Sequence, residues 1–237
     1  MLGEIKVAVL EANKELPKRG LVLYSWGNVS AIERESGQVV IKPAGYPYTE
    51  MTLDDLSVVD MEGNILEGPH KPAVDLPTHL ILYHAFPLVN AIVHTHSTHA
   101  TIWAQASRPI PCFGTTHADY FLGEVPCTRQ LRRDEIQGNY EEETGKVIVE
   151  CFRDRDPVNV PGVLVARHGP FTWGGDVWEA LHKSVVLEEI AKMALGVLSL
   201  VPDPSPIPDD LLHRHFFRKQ GPEAYFEDDD KRGGASQ

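Results

Sequence analysis

Cysteine is scarce in this chain of 237 residues: only Cys112, Cys127 and Cys151, odd in number and far apart. No CxxC pair exists among them, which excludes a thiolate zinc cluster and a disulfide framework and leaves reduced thiols. Long apolar runs are lacking too. No stretch approaches the roughly 20 apolar residues that a bilayer-spanning helix needs. The opening "MLGEIKVAVLEANKEL" is too evenly charged to read as a secretory leader. A soluble, cytoplasmic protein with no membrane partner is expected. Positive charge is also in short supply, with 22 Lys and Arg against 34 Asp and Glu and a formal net charge of −12. Such a surface repels phosphate backbones, so no nucleic acid partner is expected, although a local basic pocket can still hold a small anion.

What the chain does have is apolar content. Hydrophobic residues make up 42%, enough for a sizeable core. Ile5, Val9, Ala12 and Leu16 form a helical stripe over residues 3–16. "LVLYSWGNVSAIE" and "QVVIKPAG" read as strands, and "SVVDMEGNILEG" as a hairpin about Glu62-Gly63-Asn64. Asp75 is placed to cap a helix that has Pro77 in its first turn and runs to about Phe86. "NAIVHTH" is a short buried strand, followed by the helix "HATIWAQA" with Ser97 or Thr98 as its cap. "TTHADYFLGEVPCT" reads as loop, and "EEETGKVIVECF" is ambiguous between helix and strand. "PGVLVARHGPFTWGG" is strand, turn, strand. The longest helix is "DVWEALHKSVVLEEIAKMALGVLSL", and "PDPSPIP" links it to a last helix, "DDLLHRHFFRKQ". No internal repeat is visible. The expectation is one layered α/β domain over residues 1–226 and a disordered acidic tail over 227–237.

The polar residues at strand ends carry the chemistry. In "AIVHTHSTHA" the strand period of two puts His94 and His96 on one face, while His99 falls on the following helix and faces elsewhere. A bare HxH is as often two ordinary strand-end residues as a ligand pair. His168 in "LVARHGPFTW" also follows an apolar strand and precedes a Gly-Pro turn, and Asp75 stands at a helix start. Three imidazoles and a carboxylate suit zinc, manganese or cobalt. His79, His84, His182, His213 and His215 read as core or surface residues. Spacing alone thus suggests a divalent metal held by His94, His96 and His168, without naming the reaction.

"SWGNVSAI", "VIKPAGYPY", "IVHTHSTHATIWAQA", "GTTHADYF", "PCTR" and "PGVLVARHGPFTWG" follow one another here with the order and spacing found in the class II aldolase and adducin-head family, on its 4-epimerase branch. The resemblance runs from about residue 2 to 226. It implies an α/β/α domain of three layers around a central, mostly antiparallel sheet. It implies a homotetramer with active sites at subunit interfaces, and a metal-dependent sugar 4-epimerase acting by retro-aldol cleavage and re-addition through an enediolate. By position, His94, His96 and His168 match the zinc ligands and Asp75 the acidic residue beside the metal. Asp119 matches a general acid/base. Asn28, Lys42 and Gly45 match groups around the substrate phosphate, and Thr115 another substrate contact.

This chain departs from that pattern in three places. The C-terminal "AYY" is "AYF", so the matching tyrosine is Phe226 and Tyr225 becomes the candidate second acid. "KPSG" is Lys42-Pro43-Ala44-Gly45, and "PSSD" is Pro72-Ala73-Val74-Asp75. Each charged hydrogen bond lost to a buried dianion costs roughly 1.5–3 kcal/mol. The expected substrate is therefore a ketose or ketose phosphate, with an aldolase or epimerase for an unphosphorylated or differently substituted sugar as the alternative. A non-enzymatic adducin-like role predicts a degraded ligand set, whereas all three histidines and Asp119 are present; an iron oxygenase usually draws on HxD/E, whereas the ligand candidates here are HxH with a third histidine.

Overall fold

A computed structural model describes residues 1–220 and 224. In chain order its elements are α1 (Leu2–Lys18), β1 (Gly27–Glu33), β2 (Gln38–Ile41), β3 (Ser57–Val59), β4 (Ile65–Glu67), α2 (Leu76–Ala85), β5 (Ala91–Thr95), α3 (Thr98–Gln105), α4 (Thr115–Ala118), α5 (Arg133–Gln137), α6 (Tyr140–Cys151), β6 (Gly162–Leu164), β7 (Pro170–Gly174), α7 (Val177–Leu200) and α8 (Asp209–Lys219). The strands form one sheet in the order β4-β3-β2-β1-β5-β7-β6, every neighbouring pair antiparallel.

Alternation along the strands builds the layers. Val29, Ala31, Val40, Val58, Ala91 and Val93 face α1 and the start of α7, where they meet Val9, Leu16, Ala180 and Leu181. Their neighbours Ile32, Val39, Ile41, Ile92, Phe171 and Trp173 face the other way, into a cluster with Leu76, Leu80 and Tyr83 of α2 and Ile148 of α6. Apart from the exposed edge strand β4, the sheet is therefore buried on both faces, and helices cover each. This is the expected three-layer arrangement, with an antiparallel sheet.

Local departures have physical causes. Residues 21–26 are not strand: Gly20 (φ 69°) and Tyr24 (φ 52°) turn the chain, and β1 begins only at Gly27. Tyr24 is 84% exposed, so its apolar type does not signal burial. The "TTHA" stretch read as loop is the short helix α4. The ambiguous "EEETGKVIVECF" is helix α6, with Glu141, Glu142 and Glu143 in its first turn favouring the N-terminal dipole. Gly145 lets α6 lie against α2, since a Cβ there would meet Ile81 at 2.8 Å. Tyr225, Phe226 and the acidic tail at 227–237 lie outside the described residues.

Candidate metal centre and active site

Sheet register assembles the centre. Asn28 on β1 pairs across to His94 on β5, and His94 pairs across to Phe171 on β7. His96 sits one step past the end of β5 on the same face, and His168 is in the turn joining β6 to β7. That turn closes through Val165 N–H to the Gly169 carbonyl, with Arg167 held at φ 67°. The Arg167 N–H donates to the Ala104 carbonyl and its guanidinium to that of Gln105, which ties the turn to α3. Gly169 has a steric reason to be glycine. A Cβ would stand 2.8 Å from the Thr95 carbonyl and within 3.6 Å of the His94 and His96 rings.

The three imidazoles make a nearly equilateral triangle, with ring centroids 5.0 Å (His94–His96), 4.8 Å (His94–His168) and 5.0 Å (His96–His168) apart. One nitrogen from each lies within 4.8 Å of the others. His94 stacks on Phe171 at 4.1 Å and donates from Nδ1 to the Pro170 carbonyl at 3.0 Å. That bond fixes the ring and leaves Nε2 as the lone pair. The His168 Nδ1 lies 3.4 Å from the Tyr140 hydroxyl, a neighbour the sequence reading did not single out because Tyr140 stands just outside the motifs that carry the histidines. Burial lowers the pKa of all three histidines, so each is neutral near pH 7 with a lone pair to offer. This donor set fits a divalent ion that prefers nitrogen and oxygen.

Asp75 stands beside the triangle but does not cap α2. Its backbone is helical (φ −76°, ψ 0°) and its side chain makes no cap bond. The carboxylate instead accepts from Asn28 Nδ2 at 2.9 Å and places its other oxygen 4.0 Å from His94 Nε2. Burial pushes the Asp75 carboxyl up, but the imidazoles of His94, His79 and His168 and the Asn28 amide outweigh it and hold it low. Asn28 Oδ1 is buried without a partner among the described residues.

Lys42 follows β2 and is only 1% exposed. Its ammonium donates to the Pro43 carbonyl at 3.1 Å and lies 4.8 Å over the Tyr48 ring. Burial lowers its pKa to about 8. No carboxylate within the described residues pairs with it, so this end of the sheet holds a buried cation in want of an anion. Pro43 bridges to Pro72, bringing the loop with Ala44 and Gly45 beside the loop with Ala73 and Val74. Ala44 and Gly45 are exposed, and Val74 is 67% exposed.

Asp119 and Thr115 are placed elsewhere. Thr115 opens α4 and Asp119 follows that helix, where it accepts from His215 Nδ1 at 2.9 Å and Arg218 at 3.1 Å, with Lys219 at 3.5 Å. His215, read from sequence as bland, thus joins a candidate acid/base. The signal was a helical one: His215, Arg218 and Lys219 share one face of α8. Among the described residues, no hydrogen bond or ion pair joins Asp119 to His94, His96 or His168. His99 does face away, bonding Glu188. Ser97 sits at the α3 cap position without a side-chain cap bond. Glu188 of α7 caps that helix instead, accepting from the His99 and Ala100 N–H groups at 2.9 and 3.0 Å.

Comparison with known proteins bears on the family and the fold. The chain is 53% identical over 225 residues to the L-ribulose-5-phosphate 4-epimerase UlaF of Salmonella paratyphi C, covering 95% of this chain and 99% of that protein. The protein of the same name from Salmonella typhi is 52% identical over the same shares. Among solved structures, an L-fuculose 1-phosphate aldolase superposes with a TM-score of 0.76 at 24% identity, covering 90% of this chain and 94% of its own. The L-fuculose 1-phosphate aldolase from Glaciozyma antarctica PI12 gives 0.74 at 18%, covering 93% and 83%. These two show the fold. Residues 7–195 match the family described as Class II Aldolase and Adducin N-terminal domain. The chain belongs to the class II aldolase and adducin N-terminal domain family.

Proposed function

We propose that this chain is a divalent-metal-dependent L-ribulose-5-phosphate 4-epimerase that breaks the C3–C4 bond by a retro-aldol step and re-forms it on the other face of the aldehyde. The observation that carries the reading is 53% identity along 95% of the chain to a protein of that name. His94, His96 and His168 would hold the ion, with zinc the expected metal and manganese or cobalt able to replace it. When bound there, the ion supplies Lewis acidity toward the substrate's oxygens. Lys42, with Asn28 and Gly45, binds and orients the phosphate. Asp75, kept ionised and aimed by Asn28, fixes the orientation of the sugar beside the histidines. Asp119 moves a proton at the C4 oxygen on one face of the aldehyde, with Thr115 as a further substrate contact, and Tyr225 is the candidate for the opposite face.

The working unit is a homotetramer in the cytoplasm, with a domain spanning 1–226. Placement of Asp119 against α8 rather than beside the histidines supports a site shared between neighbouring subunits. Supplying L-ribulose 5-phosphate with zinc or manganese is expected to yield D-xylulose 5-phosphate, and a chelator to abolish the yield. Stoichiometric metal in the purified protein, lost in His94→Ala and His96→Ala, checks the ligand set. Metal-free active protein would defeat it.

A second reading has its own observation. Ala44 and Val74 present an apolar rim where hydroxyl donors to a phosphate are expected. On that reading the enzyme cleaves or epimerises an unphosphorylated or differently substituted sugar. A higher kcat/KM on L-ribulose than on its 5-phosphate would favour it, and the reverse order would remove it.

A further inference from the structure

Tyr48 closes the stretch "VIKPAGYPY", and the chemistry proposed above gives it no part. It lies beyond β2 and is buried in the apolar cluster that holds Val29, Val40 and Val58. Its hydroxyl donates to the Gly27 carbonyl at 2.7 Å, next to Asn28 at the start of β1. Its ring carries the Lys42 ammonium, which stands 4.8 Å from the centroid. One aromatic side chain thus joins the two chain segments that supply Lys42 and Asn28.

Elementary electrostatics says what such a ring does for a buried ammonium. Lys42 is only 1% exposed, and a cation taken out of water needs a partner. A carboxylate would serve, but it would neutralise the charge and occupy the N–H groups that an anionic ligand needs. An aromatic ring stabilises the cation through its quadrupole and takes none of them. An ammonium has three N–H donors. Among the described residues only the Pro43 carbonyl, at 3.1 Å, accepts from Lys42, so the other two are left for a ligand. Burial pushes the Tyr48 phenol well above its usual range, so its oxygen stays protonated and brings no negative charge. Ala44, Ala73 and Val74 supply no side-chain donor, which leaves more of an anion's binding to Lys42.

We propose that Tyr48 is a positioning residue for the anionic end of the substrate: its ring holds Lys42 in place as a cation whose N–H groups stay available to a phosphate monoester. The effect on turnover rests on the functional reading above; the binding of phosphate itself does not. The probe is inorganic phosphate, titrated calorimetrically into the full-length protein near neutral pH. Tyr48→Leu removes the ring and is expected to weaken phosphate about 10-fold. Tyr48→Phe keeps the ring face and loses only the bond to Gly27, so its affinity is expected to stay close to wild type. Fluorinating the ring introduced by Tyr48→Phe at one, two and then three positions drains the quadrupole at nearly constant shape. Phosphate affinity is expected to fall with each fluorine, and this series decides the matter even if Tyr48→Leu does not fold. With L-ribulose 5-phosphate the same series is expected to raise KM with little change in kcat. Affinity indifferent to fluorine, or lost equally in Tyr48→Phe and Tyr48→Leu, would leave Tyr48 a packing residue and overturn the proposal. A wild type that binds no phosphate would overturn it as well. If phosphate binding follows the fluorine series while L-ribulose 5-phosphate is not turned over, the epimerase reading fails and the role of Tyr48 stands.

Discussion

Single side chains at this site are held by neighbours that the sequence places far away, and that governs what substitutions do. Asp75 has the sequence position of a helix cap, yet its carboxylate turns to Asn28, because its helical backbone (φ −76°, ψ 0°) is not the extended conformation from which a capping side chain reaches the first free N–H groups. Gly169 looks like an ordinary turn residue until the Thr95 carbonyl is seen 2.8 Å from the place of its missing Cβ. Gly169→Ala is therefore expected to displace His94 and His96 and to weaken zinc by about 10-fold or more, measured by chelator competition. Lys42 gives a pH prediction. Its pKa of about 8 in the free protein means the ammonium is charged below that pH and neutral above it. On the phosphorylated substrate, kcat/KM should fall as pH rises past about 8. Lys42→Met should lower kcat/KM about 10- to 100-fold, for a lost charged bond of roughly 1.5–3 kcal/mol, and should erase that alkaline limb.

Among the elements, α3 best shows a strand end secured from outside. The strand carrying His94 and His96 runs straight into this helix, and the helix is capped by Glu188 of α7 rather than by Ser97. Burial raises the Glu188 carboxyl, but the Ala100 and His99 N–H groups and the His99 and Ser97 side chains outweigh it, leaving it lowered. A carboxyl lowered on folding stabilises the fold fully above its unfolded pKa of about 4.3. That stability is lost as pH falls through the lower folded value. Glu188→Gln should cost about 2 kcal/mol at neutral pH, seen as a melting temperature lower by about 4–8 °C. The deficit should shrink in acid as the wild type itself becomes protonated. An equal deficit at every pH would show that shape, not charge, does the capping. Element type was largely legible in sequence, as with the periodic stripe of α1 and the length of α7. It was not legible for α6, where period alone leaves helix and strand tied and contact with α2 decides.

For the whole molecule the decisive question is where Asp119 meets the histidines. Within one chain its partners are His215, Arg218 and Lys219 of α8. A site completed by a neighbouring subunit predicts complementation between two inactive variants. His94→Ala and Asp119→Asn homo-oligomers, each inactive, should regain turnover when unfolded together and reassembled, because some interfaces then unite an intact triad with an intact Asp119. Light scattering should report a tetramer for each. No recovery in mixed tetramers would put both groups to work in one subunit.

Strand periodicity, read from sequence, put His94 and His96 on one face and set His99 apart. The motif spacing brought in His168, Asp75 and the family. These are local properties: a period of two, a turn with Gly-Pro, and residue types whose donor chemistry is intrinsic. The tertiary structure decided everything that depends on chain segments meeting. It turned Asp75 from cap to partner of Asn28, gave the α3 cap to Glu188, paired Asp119 with His215, and left Lys42 buried without a counter-ion among the described residues. Such pairings are set by cross-strand register and helix packing, and no local pattern in one sequence records them.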